Sequence, residues 1–311
     1  MKLNKIKLAL GFVTAAAMAM PIVASAAADQ EKAMKNSANW AHPRGQHDNQ
    51  AYSKLTQINK GNVKNLKAAW TLSTGVNRGH EGSPLVIGNM LYVHTAFPNN
   101  VYALDLNNNQ KVVWSYFPKQ DPSVQAVLCC DNVNRGLGFG NGKIFLQQND
   151  GNLVALNAKT GAKVWSTLNT DPKVGATNTN APHVIKDKVL TGCSGAEFGV
   201  RCFIAAYNIE DGSLAWKAMS TGPDSEVLIG ADFNKENPLY SALSVYEDVN
   251  GGNVEGGSFK RIPNDQLQGG VADLGLKTWL KPQAVKDGWQ HGGGSVWGWW
   301  PYDAKTNLVY Y

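Results

Sequence analysis

The chain has 311 residues and a formal charge of only +5, from 29 basic and 24 acidic side chains. With 17% charged residues, 32 glycines and ten tryptophans, it cannot be a disordered chain, a coiled coil or a basic nucleic-acid arm, each of which needs many charges or few aromatics. Gly, Asn and Asp pairs at short intervals favour an all-β fold over a helical one.

Lys2, Lys5 and Lys7 precede an apolar run from Leu8 to Val23, and Ala24-Ser25-Ala26 offers a small-residue cleavage site. Basic head, apolar centre and A-x-A tail predict a secretory signal peptide over residues 1–26, cleaved after Ala26 or Ala28. The apolar run falls short of the ~20 residues a membrane span requires. Export places the mature chain, 27–311, in an oxidising compartment, where four cysteines permit two bridges. Loss of the three lysines leaves it close to neutral, so no nucleic acid or other strongly charged partner is expected.

Next in the chain, Asn62 to Leu66 reads as a short helix leading into a first strand at Ala69-Trp70. Three hairpins follow. Ser83–Ile87 and Met90–His94 flank Gly88-Asn89; Leu137–Phe139 and Lys143–Gln148 flank Asn141-Gly142; His183–Ile185 and Lys188–Thr191 flank Lys186-Asp187. After each comes a second hairpin that ends on tryptophan: Ala103 to Trp114, Ala155 to Trp165 and Ala206 to Trp216, about 51 residues apart. Four strands per ~51 residues is the pattern of propeller blades, and the repeated Trp would dock each blade on its neighbour. Residues 222–290 break the rhythm and read as a long insertion. Trp297–Tyr302 and Asn307–Tyr311 resume it. The expected fold is an all-β β-propeller of about three and a half blades. Since propellers close with roughly four to eight blades, the expectation is the N-terminal portion of a longer protein.

Several motifs carry chemistry. Cys129 and Cys130 are adjacent; neighbouring Cα atoms lie about 3.8 Å apart, below the ~4.4 Å of relaxed disulfides, so a bridge between them would be strained. Two unrelated buried thiols are the alternative. Cys193 and Cys202 bracket the loop Ser194-Gly195-Ala196-Glu197, where a carboxylate suits a hard cation with oxygen ligands; their spacing alone does not establish a bond. Trp297 offers an indole face for a planar ring.

The run Cys129-Cys130-Asp131-Asn132-Val133-Asn134-Arg135-Gly136 resembles the signature of the PQQ-dependent alcohol dehydrogenases, closest among them to the methanol dehydrogenase large subunits. So do the Trp40 region, His80-Glu81-Gly82, Ser194 to Glu197, Gly292-Gly293-Gly294 and Trp297-Gly298-Trp299. The resemblance implies an eight-bladed propeller in the periplasm that oxidises methanol or a similar small primary alcohol. It implies PQQ with Ca²⁺ or a lanthanide as cofactors, a cytochrome c as electron acceptor, and a second copy or a small subunit as partner. It places a Cys129–Cys130 ring and the Trp297 indole on opposite faces of the quinone. Glu81, Arg135, Thr179, Ser194, Gly195, Ala196 and Ser295 would hold its edge, and Glu197 would hold the metal. Trp299 and Trp300 read as core or blade docking. The family's general base, an Asp, and a further metal ligand, an Asn, would lie beyond Tyr311, so this chain alone is expected to be inactive. The rival class is a non-catalytic periplasmic propeller scaffold of the outer-membrane assembly type, which shares the Trp repeat but has neither the adjacent cysteines nor the Gly-Ala-Glu loop.

Overall fold

The computed structural model describes residues 28–128, 130, 132–222, 246–248, 259–261, 290 and 292–311. The expected signal peptide and most of the 222–290 stretch therefore lie outside the described residues.

Three four-stranded antiparallel sheets follow one another, each with its strands in chain order. The first holds β1 (Leu85–Ile87), β2 (Met90–His94), β3 (Val101–Asp105) and β4 (Lys111–Tyr116); the second holds β5 (Leu137–Gly140), β6 (Lys143–Gln147), β7 (Asn152–Asn157) and β8 (Lys163–Leu168). The third holds β9 (His183–Ile185), β10 (Lys188–Thr191), β11 (Phe203–Asn208) and β12 (Leu214–Met219). Within the 222–290 stretch, β13 (Tyr246–Asp248) pairs with β14 (Phe259–Arg261), a hairpin that the composition did not foreshadow. A further hairpin, β15 (Tyr302–Asp303) with β16 (Leu308–Val309), starts a fourth sheet against the third. These are the blades expected from the repeat.

The tight turns explain the local pairing. Asn141 and Gly142, between β5 and β6, both have positive φ, +49° and +64°. That is the two-residue turn whose twist matches its flanking strands. The outer hairpins are equivalent: Ala103 faces Trp114, Ala155 faces Trp165 and Ala206 faces Trp216, with a bulge immediately after each alanine.

Docking follows the same rule twice. Trp114 donates its indole N–H to the Ala158 carbonyl of the next sheet at 3.0 Å, and Trp165 donates to the Ile209 carbonyl at 3.2 Å. Each ring lies on a glycine of that sheet's turn, Gly161 or Gly212, where a methyl group would come within 2.6 Å of the ring. Trp114 and Trp165 are buried by this contact, whereas Trp216 remains 44% exposed. Nearer the centre, Gly136, Gly138 and Gly140 alternate along β5. The side they leave bare lies against Ala181, the Pro182 carbonyl and Val184 at the start of the third sheet. Period-2 alternation of glycine thus removes one face of side chains where two strands must nearly touch.

The N-terminal segment was not legible as structure. A helix, α1 (Ala28–Lys35), seats Ala33 and Met34 in the core, and Asp29 accepts hydrogen bonds from the Asn141 and Gly142 amides at 2.7 Å. From there the chain crosses the inner strands. Trp40 bridges Val86, Pro43 touches Gly136, the His42 ring meets the His183 ring at 3.2 Å, and the His47 carbonyl accepts from Tyr302 N–H at 2.9 Å. One expectation fails. Ala69-Trp70 forms no strand, and Trp70 is exposed; only a 3₁₀ turn at Val63–Asn65 forms nearby. The apolar doublet has no partner strand among the described residues, and a strand without one has no ladder to join.

Candidate cofactor site

Arg135 is the centre of the site. It lies just past a left-handed kink, with Cys130 at φ +57° and Asn132 at φ +65°, in the linker between the first and second sheets. Its guanidinium is almost fully buried, and three neighbours engage it. One terminal nitrogen bonds Glu81 at 3.0 Å, the other donates to the Thr179 hydroxyl at 2.5 Å, and the group stacks 4.4 Å from the Trp297 ring centre. Its backbone is held on both sides: the amide donates to the Thr179 carbonyl at 3.0 Å, and the Arg135 carbonyl accepts from the Trp299 indole at 3.1 Å. A buried cation needs such partners, because an unpaired one would be prohibitively costly to desolvate. The bond from Trp299 had been missed, since an indole N–H aimed at a distant carbonyl leaves no trace in local pattern.

Glu81, Arg135, Thr179 and Trp297 are thus brought together from four separate parts of the chain. Ser194 joins from the side: its amide and carbonyl pair with Thr177, two residues before Thr179. Its hydroxyl is buried and has no partner among the described residues. Gly195 runs so close to the Gly175 carbonyl that a Cβ would sit 2.1 Å away, and it has φ +112°, so glycine is required there. Ala196 and Glu197 form a 3₁₀ turn, Ala196–Phe198, whose Ala196 carbonyl lies under Gly292. Glu197 is exposed and makes no contact with the Arg135 cluster among the described residues; Ser295 is half-buried. No group of three His, Cys, Asp or Glu side chains suited to a metal occurs among the described residues.

The cysteines divide. Cys193 and Cys202 are bridged, with Cα atoms 5.2 Å apart and both residues buried, so the Ser194–Arg201 loop is stapled at its base. Cys130, by contrast, carries a free, exposed thiol. Cys129, its expected bridge partner, lies outside the described residues.

Thr179 belongs to a buried amide and hydroxyl network that sequence reasoning also missed. Asn178 donates to the Thr191 hydroxyl at 2.9 Å, Thr191 donates at 3.0 Å to Gln147 or to Asn180, and Asn149 reaches the Val133 carbonyl at 3.3 Å. Spread over the second and third sheets, it fixes the loop that presents Thr179 to Arg135. A cavity of 350 Å³ lies elsewhere, between α1 and the 37–54 loop, and none of the predicted site residues lines it.

The described residues fit a planar, anionic ligand. A buried guanidinium, an indole face, an unsatisfied buried hydroxyl and a backbone free of side chains are what such a ligand requires. The comparisons agree with that chemistry. Residues 40–237 match a family model described as the PQQ-linked glucose, ethanol and alcohol dehydrogenase β-propeller domain. Methanol dehydrogenase (cytochrome c) subunit 1 of Methylorubrum extorquens is 45% identical over 89% of this chain and 40% of its own length. The lanthanide-dependent methanol dehydrogenase of the same organism is 46% identical over 93% of this chain and 43% of its own. A europium-containing methanol dehydrogenase structure superposes with a TM-score of 0.74 at 44% identity, covering 91% of this chain and 43% of that one. The chain spans about two fifths of the length of the relatives it matches. From its blades, its docking tryptophans and these matches together, the chain belongs to the PQQ-dependent alcohol dehydrogenase β-propeller family.

Proposed function

We propose that this chain forms the quinone-holding part of a periplasmic, PQQ-dependent dehydrogenase for methanol or a similar small primary alcohol. The observation that carries the reading is the buried Arg135 guanidinium, braced by Glu81, Thr179 and Trp297. Arg135 and Thr179 would bind the carboxylates or carbonyls of the quinone, with the Ser194 hydroxyl as a further donor. Trp297 would support one ring face, and the 130–134 loop, with Cys129 and Cys130, would border the other. Gly195 and Ala196 let the backbone approach, and Ser295 closes the edge beside Trp297. When bound, the quinone supplies a two-electron acceptor for the hydride of the alcohol.

The chain's own part is orientation. Glu81 neutralises Arg135, and its backbone bonds, donated to Thr179 and accepted from Trp299, keep its direction fixed, so little reorganisation is needed when a ligand binds. Glu197 would give one carboxylate oxygen to Ca²⁺ or a lanthanide; further oxygen ligands would come from outside the described residues. A cytochrome c would take the electrons, and a second copy or a small subunit would be the protein partner.

The test is PQQ binding to the purified 311-residue chain, followed through tryptophan fluorescence. Saturable quenching is expected, and Trp297→Leu should remove most of the quench while Arg135→Ala weakens binding. Absence of saturable binding, or quenching indifferent to both substitutions, would overturn the reading.

A further inference from the structure

The His94 side chain, at the end of β2, is buried, and no motif had singled it out. Its Nε2 lies 3.1 Å from the Asn134 backbone carbonyl. A carbonyl only accepts, so Nε2 must carry the proton and Nδ1 a bare lone pair. That lone pair is buried without a partner among the described residues. Burial pushes the His94 pKa down to about 4, against a small opposing effect of the Asn134 bond, so the ring is neutral at pH 7. The same Nε2–Cε1 edge of the ring presses on Gly82: a Cβ there would fall 2.1 Å from Nε2, and 2.9 Å from the Arg135 carbonyl carbon.

The Nε2 edge of the imidazole thus meets both the residue after Glu81 and the residue before Arg135. Asn134 cannot yield, because its own side chain donates to the Gln147 carbonyl at 2.7 Å and accepts from the Gly136 amide at 3.0 Å. We infer that His94 is a positioning residue, a neutral spacer that sets the Glu81–Arg135 pair and thereby aims the guanidinium at the ligand. The inference rests on the quinone reading only for the ligand's identity; the geometry of the pair stands apart from it. The charged and titratable groups nearby are Arg135, Glu81 and His80, and none hydrogen-bonds His94.

The experiment compares His94→Leu, which deletes the donor, with His94→Gln, whose amide can keep a donor where Nε2 lies without ever becoming charged. Two readouts are taken on the whole chain: hydrogen exchange of the Asn132–Gly140 region without ligand, and affinity for PQQ. A net hydrogen bond is worth roughly tenfold in an equilibrium. His94→Leu should therefore speed exchange of the Arg135 amide and weaken PQQ binding, each by about tenfold. His94→Gln should restore both to within about threefold of wild type. Unchanged exchange in His94→Leu would overturn the inference. So would equal loss in both variants accompanied by loss of protection throughout β2 and β3, since that marks a merely structural histidine. If wild type fails to bind PQQ, the quinone reading falls, and the exchange comparison still decides the role of His94.

Discussion

Blade docking can be measured with two glycines that share a backbone conformation and differ in what lies above them. Gly142 has φ +64° and open space where a methyl would go; Gly212 has φ +71°, and its methyl would fall 2.6 Å from the Trp165 ring and 2.8 Å from the Thr167 hydroxyl. Left-handed backbone costs an alanine about 1–2 kcal/mol at either site. Only at Gly212 is the methyl also forced into the neighbouring blade, an overpacking worth about 1–3 kcal/mol more. Urea unfolding at pH 7 should thus show Gly142→Ala losing about 1–2 kcal/mol and Gly212→Ala about 2–5 kcal/mol. In a Trp165→Leu background the excess should shrink to what the Thr167 hydroxyl alone imposes, as a double-mutant cycle will register. If the two glycines cost the same in the wild-type background, Trp165 does not clamp on Gly212 and the docking rule is wrong.

Burial, followed by the nearby charge of His47, pushes the pKa of His183 down to about 3, against about 6.5 unfolded. The unfolded chain then binds the extra proton, so stability should fall as pH drops from about 6.5 towards 3, by up to about 1.4 kcal/mol per pH unit from this residue. His183→Gln should flatten urea midpoints measured at pH 7.5, 5.5 and 4.5, and parallel curves would refute the assignment. Without reductant, a maleimide should label the exposed Cys130 but neither Cys193 nor Cys202; failure to label Cys130 would show it bridged to its neighbour. Replacing both bridged cysteines by alanine should cost about 2.5 kcal/mol, the loop-closure value for so short a loop, read from the shift in urea midpoint. Arg135→Lys keeps the charge but loses the planar fork that reaches Glu81 and Thr179 together. It should weaken PQQ binding by about tenfold or more in a fluorescence titration, and unchanged affinity would show that charge alone suffices.

The parts of the fold that the sequence made legible are local. Asn141-Gly142 announces its turn because only such residues accept positive φ cheaply, and the Ala-to-Trp spacing repeats because each outer hairpin solves the same packing problem. Long-range pairings leave no such period. His42, Pro43 and His47 look like an irregular loop, and only the arrival of His183, Gly136 and Tyr302 gives them partners. In the site, Arg135 and Trp297 stood out by motif. His94 and Trp299 act through backbone carbonyls, which every residue possesses, so side-chain type alone could not nominate them. Trp70 shows the converse, since strand-forming residues make no strand where none of the described residues pairs with them.

The segment that crosses the inner strands has a kinetic meaning. Each blade closes through contacts within about 50 residues, but His42 meets His183 across 141 positions of chain. Non-local contacts of that kind form late, because the loop entropy must be spent before any contact repays it. The stretch from Trp40 to His47 is synthesised ahead of every blade, yet it can lock only after the third sheet and the β15–β16 hairpin exist. A stretch that precedes the three blades in the chain thus finds its place after the third, and until then the side of Gly136 that faces Pro43 stands uncovered.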